Sequence, residues 1–318
     1  MALQRAAILF NPAAGGARRR AEQRAREAAE EYRRHGLEVE LFATELERRA
    51  DVLAAEAVQR GFDLISPCGG DGTINEALQG MAGSDAVLAP LPAGTANVFA
   101  RETGLPLDPA RAAALLPELV EREAPLGVVE LPDEGRRRFF LLMCGAGVDA
   151  GAVYRLNGNL KRRSGFGAYV WSGLQQLVLP FEKFRMSLGA EQMDCTLVVI
   201  SKSRIYGGVL ILTPGAHLLS EHFKVIGFRT ASGLRYATYA AALLLHKLSS
   251  PRGVERRSAA KVELRAIDPS SRVHVQVDGE LAGELPARVR LGPETVRVLL
   301  PPEYCDHQES PLLARSAG

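Results

Sequence analysis

The sequence is poor in the residues that would commit it to several common designs. Its four cysteines, at positions 68, 144, 195 and 305 of 318 residues, include no C-x-x-C pair and lie in or beside apolar or glycine-rich stretches. They read as reduced structural thiols, which excludes a disulfide framework. The six histidines show no helix-spaced pair, and His217 with His222 reads as two loop residues, so no structural zinc is expected. Neither sign of charge dominates. Thirty-nine basic against thirty-seven acidic residues leave +2, without the basic excess that marks a nucleic-acid binder. Long apolar runs are missing too: the longest helical candidate, residues 237–248, carries His246 and Lys247. It falls short of the roughly 20 residues that span a bilayer, so no crossing segment is expected. The apolar run at 6–10 is cut off by Asn11-Pro12, too short for a secretory leader, and a cytoplasmic protein is the expectation.

What is present is enough apolar material, 47% of residues, for buried cores in about two domains. Residues 5–124 alternate strand-like runs (to 10, 37–43, 62–66) with helix-like ones (17–35, 51–60, 73–81), a rhythm that argues for a doubly wound α/β domain with a parallel sheet. In 17–35, Arg and Glu repeat at spacings of three and four, the pattern of a solvated helix face. After Pro125 the runs become short and β-rich, at 139–143, 196–200, 209–212, 224–228, 262–265, 273–277 and 296–300, with helical patterns at 168–179 and 234–248. The expected division is a nucleotide-binding domain over 1–124, a β-rich second domain over 125–303 and a frayed tail over 304–318.

Chemistry concentrates in the turns. The apolar run at 62–66 leads into Pro67-Cys68-Gly69-Gly70-Asp71-Gly72-Thr73, where three glycines let the backbone approach an anion and the following helix presents its positive end. A carboxylate in such a loop would repel phosphate, so Asp71 suggests a bridging Mg²⁺ or a hydroxyl to be oriented. Strand 6–10 runs into Asn11-Pro12-Ala13-Ala14-Gly15-Gly16, and a third turn, Gly94-Thr95-Ala96-Asn97, follows the run at 86–89. Three such turns after three strands would line one edge of an open sheet, where doubly wound folds bind nucleotides.

These three motifs, in this order and at these intervals, resemble the diacylglycerol kinase catalytic-domain family of lipid kinases, in particular its soluble bacterial members. Cys144 to Ala150, Gly165 to Tyr169 and Val277-Asp278-Gly279-Glu280 extend the resemblance over most of the chain. It implies a β-sandwich second domain whose last strand returns toward the first domain, and ATP with Mg²⁺ as cofactors. The backbones of Asn11, Pro12, Ala13, Ala14 and Gly15 and of Gly69, Gly70, Asp71, Gly72 and Thr73 would then cradle phosphates, with Thr44, Gly94, Thr95 and Asn97 also at the nucleotide.

The resemblance further implies a catalytic base in the Val277 to Glu280 turn, which makes Glu280 the candidate. Asp71, by analogy with sphingosine kinases, is the rival base or orients Mg²⁺ through water. Asp278-Gly279 is equally a plain two-residue hairpin signal, and the two readings are compatible. Two positions depart from the family pattern. Val98 stands where many members carry Asp, and the stretch Leu218 to Lys224 lacks the Asp-Gly of a structural metal site, so that Mg²⁺ is not expected here.

The function so implied is ATP-dependent phosphorylation of diacylglycerol, giving phosphatidic acid, or of a related lipid alcohol met at a membrane surface. Lys161-Arg162-Arg163 beside Gly165 to Trp171 is a candidate headgroup contact, against a solvated turn before a core helix. A homodimer is compatible with this reading. The alternatives are a soluble NAD-kinase-like enzyme, which shares Gly-Gly-Asp-Gly, and a non-catalytic nucleotide-binding regulator.

Overall fold

A computed structural model describes residues 3–12, 18–45, 48–147, 181–244 and 252–306. Ala13, Ala14, Gly15, the basic and aromatic stretch at 161–171, the helical pattern at 168–179 and most of the tail lie outside the described residues. In the first half, strands β1 (Arg5–Phe10), β2 (Glu38–Ala43), β3 (Leu64–Gly69), β4 (Val87–Leu88) and β5 (Leu91–Pro92) interleave with helices α1 (Arg18–Arg34), α2 (Ala50–Gln59), α3 (Asp71–Met81), α4 (Val98–Thr103) and α5 (Pro109–Ala114). The strands pair in parallel in the order β4-β3-β1-β2. β1 and β3 are buried almost throughout, as strands covered on both faces must be. Helix α1 turns Ala25, Ala28, Ala29 and Tyr32 to the sheet, while Arg26–Glu22, Arg33–Glu30 and Arg34–Glu31 pair on its outer face.

The second half supplies β6 (Val120–Leu131), β7 (Arg136–Phe140), β8 (Met143–Gly147), β9 (Phe184–Leu188), β10 (Glu191–Cys195), β11 (Leu197–Ser201), β12 (Ile205–Tyr206), β13 (Leu210–Ile211) and β14 (Phe223–Phe228). Helix α6 (Gly233–Leu244), β15 (Val254–Ala259), β16 (Lys261–Ala266), β17 (His274–Val277), β18 (Glu280–Glu284), β19 (Ala287–Leu300) and helix α7 (Pro302–Asp306) complete it. One antiparallel sheet runs β15-β14-β11-β8-β17-β18. It packs on a layer of β10-β9-β16-β19 with β6 and β7, around a core that includes Phe140, Phe184, Met186, Val198, Phe223 and Val289. This is the expected sandwich.

Strand β19 joins the halves. It runs antiparallel to β6 and β16, and at its far end Arg297 and Val298 pair in parallel with Val87 and Leu88 of β4. Parallel and antiparallel strands therefore share one sheet of eleven, and residue 124 falls inside β6 rather than in a linker. Pro125, which reads as a breaker, sits mid-strand because it faces a register shift in β19 between Leu291 and Thr295. The run 139–143, expected as one strand, divides into β7 and β8 because the chain changes sheets at Leu141 and Leu142. The run at 209–212 is one arm of the small β12–β13 hairpin.

Candidate active site

The parallel strands end level with one another: Phe10 is in register with Ala43 of β2 and Cys68 of β3, and Cys68 with Leu91 of β5. Asn11-Pro12, Thr44, the Gly70–Thr73 segment and the Ala93–Asn97 turn consequently follow one another along a single edge. The chain reverses direction in the sheet between β1 and β3, the crevice where open α/β sheets take ligands. Thr44 is anchored there by its N–H, which donates to Phe10 O at 2.9 Å.

Two of the turns touch. A methyl group on Gly94 would stand 3.0 Å from Gly70 N and closer still to Gly70 Cα, so only glycine permits this approach. The Thr73 side chain folds back over Gly69. Helix α3 begins after Gly70 without a side-chain cap, leaving first-turn amides of the kind that bind phosphate. Asn97 has left-handed backbone angles (φ 46°); its Oδ1 accepts from Gly94 N–H at 2.9 Å and its Nδ2 donates to Gly94 O at 3.0 Å. Its side chain thus closes the turn on itself. Thr95 and Gly94 are exposed at the tip.

Asp71 has a partner for each oxygen. Its carboxylate accepts the N–H groups of Val98 and Phe99 at 3.0 Å each, capping α4 and tying the second glycine turn to the third. Burial pushes its pKa up, against these bonds, which pull it down. Val98 serves here through its backbone, which any side chain would allow.

Glu280 arrives from the other half of the chain. Asp278 (φ 47°) and Gly279 (φ 83°) are both left-handed and link the paired residues Val277 and Glu280, the geometry of a type I′ hairpin. The buried Asp278 carboxylate accepts from the N–H groups of Leu141 (3.0 Å), Leu142 (3.0 Å) and Met143 (2.8 Å), where the chain crosses between sheets, and from Asn75 Nδ2 (2.9 Å). Asn75 lies one turn into α3; its Nδ2 also reaches Phe139 O at 3.0 Å, and Arg138 Nη2 donates to its Oδ1 at 2.9 Å. The hairpin is thereby fixed to the helix that leaves the glycine loop. As a result Glu280 Oε1 lies 2.6 Å from where a Cβ on Gly72 would be.

Charged neighbours surround that contact. Arg49 Nη2 is 3.5 Å from Glu76 Oε1. Burial raises the pKa of Glu76, and the charge of Glu280 adds to the rise while Arg49 opposes it. Burial, with Arg49 beside it, lowers that of Arg138 against the pull of Glu280, Asp278 and Glu76. Sequence reasoning named Glu280, which the structure brings against Gly72, but missed Asn75 and the structural work of Asp278. The one available signal was the Asp-Gly pair itself, since Asp in a left-handed turn often bonds to nearby backbone.

Comparison with known proteins matches the family model "Diacylglycerol kinase catalytic domain" over residues 5–129 and "YegS C-terminal NAD kinase beta sandwich-like domain" over 143–300. A diacylglycerol kinase of Mycobacterium tuberculosis (strain CDC 1551 / Oshkosh) is 32% identical over 78% of this chain and 80% of that protein. The chain belongs to the diacylglycerol kinase catalytic-domain family. With that family it belongs to the lipid kinases. A diacylglycerol kinase of Bacillus subtilis (strain 168) is 27% identical over 96% of this chain and 99% of its own length. A crystal structure of a diacylglycerol kinase from Bacillus anthracis str. Sterne shares the fold, with a TM-score of 0.69 and 20% identity over 94% of this chain and 98% of that one. Among the described residues no helix is long and apolar enough to cross a membrane.

Proposed function

We propose that this lipid kinase transfers the γ-phosphoryl group of ATP to the hydroxyl of diacylglycerol or a related lipid alcohol, with Glu280 as general base. The observation that carries the reading is the Glu280 carboxylate lying against Gly72, at the uncapped start of α3. In-line transfer needs donors on the phosphates and a proton acceptor beside the incoming oxygen, within a few ångströms of each other. The turns at Asn11-Pro12, Gly69–Thr73 and Gly94–Thr95, with Thr44, serve the phosphates in this reading. Glu280 takes the proton from the lipid hydroxyl as that oxygen bonds to phosphorus and the bond to the ADP leaving oxygen breaks.

Asp71 is assigned to positioning rather than to base chemistry, because both of its oxygens hold α4. No group of three or more His, Cys, Asp or Glu suited to a metal occurs among the described residues. A Mg²⁺ carried by the nucleotide's own oxygens would need few protein carboxylates, and Asp71 within the loop and Glu280 against Gly72 are the ones that would stand by it. When bound, the ion supplies charge neutralisation on the β and γ oxygens. The stretch Leu218 to Lys224, which lacks the family's Asp-Gly, ends in Lys224, whose ammonium donates to Ser258 Oγ at 3.0 Å.

A lipid acceptor also requires the protein to meet a membrane surface peripherally. Incubation of purified protein with labelled ATP, Mg²⁺ and lipid alcohols in mixed micelles, with NAD as control, is the direct test. Label in phosphatidic acid is the expected result; label in NADP alone would replace this reading with an NAD kinase.

A further inference from the structure

Glu102, in the last turn of α4, is a buried carboxylate with no part in the chemistry above. Its Oε2 accepts from Ser203 Oγ (3.0 Å) and from the N–H groups of Arg204 (2.8 Å) and Ile205 (3.2 Å). Its Oε1 accepts from Arg204 Nε (2.9 Å) and the Tyr304 hydroxyl (3.3 Å), and Arg204 Nη2 also donates to Glu102 O at 3.0 Å. Removing one partner of such a buried, fully bonded charge leaves the rest unmatched, so the geometry is strongly specified.

Residues 203–205 open the β12–β13 hairpin, whose base is closed by Leu212 N–H on Arg204 O (3.0 Å) and Thr213 Oγ1 on Ser203 O (2.7 Å). The tip returns to the same helix from the other end. Gly208, at φ 90°, leaves room for no side chain: a Cβ there would stand 2.8 Å from Ala96 O. Helix α4 is thus gripped at its end by the hairpin's base and at its entry by the hairpin's tip, while Asp71 caps it. Just past that tip, Val209 and Ile211 are about half exposed, and Leu234, in the first turn of α6 beside β13, is 77% exposed. Contacts lead inward from there, since Ala96 belongs to the turn whose Gly94 touches Gly70, and Gly72 touches Glu280.

We propose that Glu102 is a positioning residue for the acceptor. It locks the β12–β13 hairpin on the Gly94–Asn97 turn, so that Val209 and Ile211 form an apolar wall along which the acyl chains lie while the hydroxyl reaches Glu280. This rests on the lipid-kinase reading.

The test is steady-state kinetics of Glu102→Gln in mixed micelles, with Val209→Ser/Ile211→Ser as a second variant. Glu102→Gln should raise KM for a long-chain diacylglycerol about tenfold, the effect of losing roughly 1.4 kcal/mol, with KM for ATP within about twofold of wild type. The serine pair should penalise the long-chain acceptor more than the dioctanoyl one. Hydrogen exchange in Glu102→Gln should quicken at 203–211 and not in β1–β3. Equal rises in both KM values, a fall in kcat alone, or no change in Glu102→Gln would overturn the assignment. Wild-type inactivity on every lipid alcohol, measured first, would instead overturn the kinase reading and this one with it.

Discussion

Asp278 and Glu280 are neighbours in one tight turn but have opposite tasks. Asp278 is buried under four donors and fixes the turn, while Glu280, partly exposed, faces the glycine loop. Replacing Glu280 by Gln keeps the shape and removes the proposed proton acceptor. Turnover is expected to fall by about 10²- to 10⁴-fold with nucleotide affinity retained, a comparison of single-turnover rates and equilibrium ATP binding. Near-normal turnover would take Glu280 out of the mechanism. Lys202 offers a second residue-scale test. It is fully buried with Nζ bonded to Pro125 O, and burial pulls its pKa down to about 7. The unfolded chain, with an ordinary lysine value, therefore binds more protons between pH 7 and about 10, and stability should climb with pH across that window. The slope is at most about 1.4 kcal/mol per pH unit, and urea unfolding of Lys202→Met should lack it.

Among the elements, the short helix α4 depends on its tertiary contacts, because six residues have little helical stability of their own. Asp71→Ala leaves the Val98 and Phe99 amides without their carboxylate. A loss of about 1–2 kcal/mol in stability is expected, together with weaker nucleotide binding as the Gly94–Asn97 turn loosens; calorimetry of both would show it. Gly94→Ala drives a methyl group into Gly70 and should abolish nucleotide binding, with a fold still detectable by circular dichroism.

The parallel strands, glycine turns and Asp-Gly hairpin were legible in the sequence because each is written in contiguous residues: apolar runs ending in Gly, and a dipeptide suited to left-handed angles. Asn75 with Asp278, and Glu102 with Ser203, Arg204 and Tyr304, were not. Each pair is separated by a hundred residues or more, and a lone Asn or Glu in a helix reads as an ordinary surface residue until its partners are known. Strand β6 was hidden for a local reason, since Pro125 mimics a boundary that the shift in β19 absorbs.

At the scale of the whole molecule, β19 makes the two halves one cooperative object. It pairs with β4 of the parallel sheet and with β6 and β16 of the sandwich, and Val296, Val298 and Leu300 lie in the core shared with α2 and α3. Urea unfolding is expected to give one transition, with intrinsic fluorescence and far-ultraviolet circular dichroism coinciding. Two separated transitions would show that the halves fold independently.

That same strand bears on synthesis. Until residue 300 has left the ribosome, β4 presents an open flank with no neighbour on one side, the kind of surface that recruits other chains. Glu280 emerges just ahead of the strand that seals this flank. In the reading proposed above, the glycine turns leave the ribosome long before Glu280, so phosphoryl transfer must wait for the hairpin that carries it.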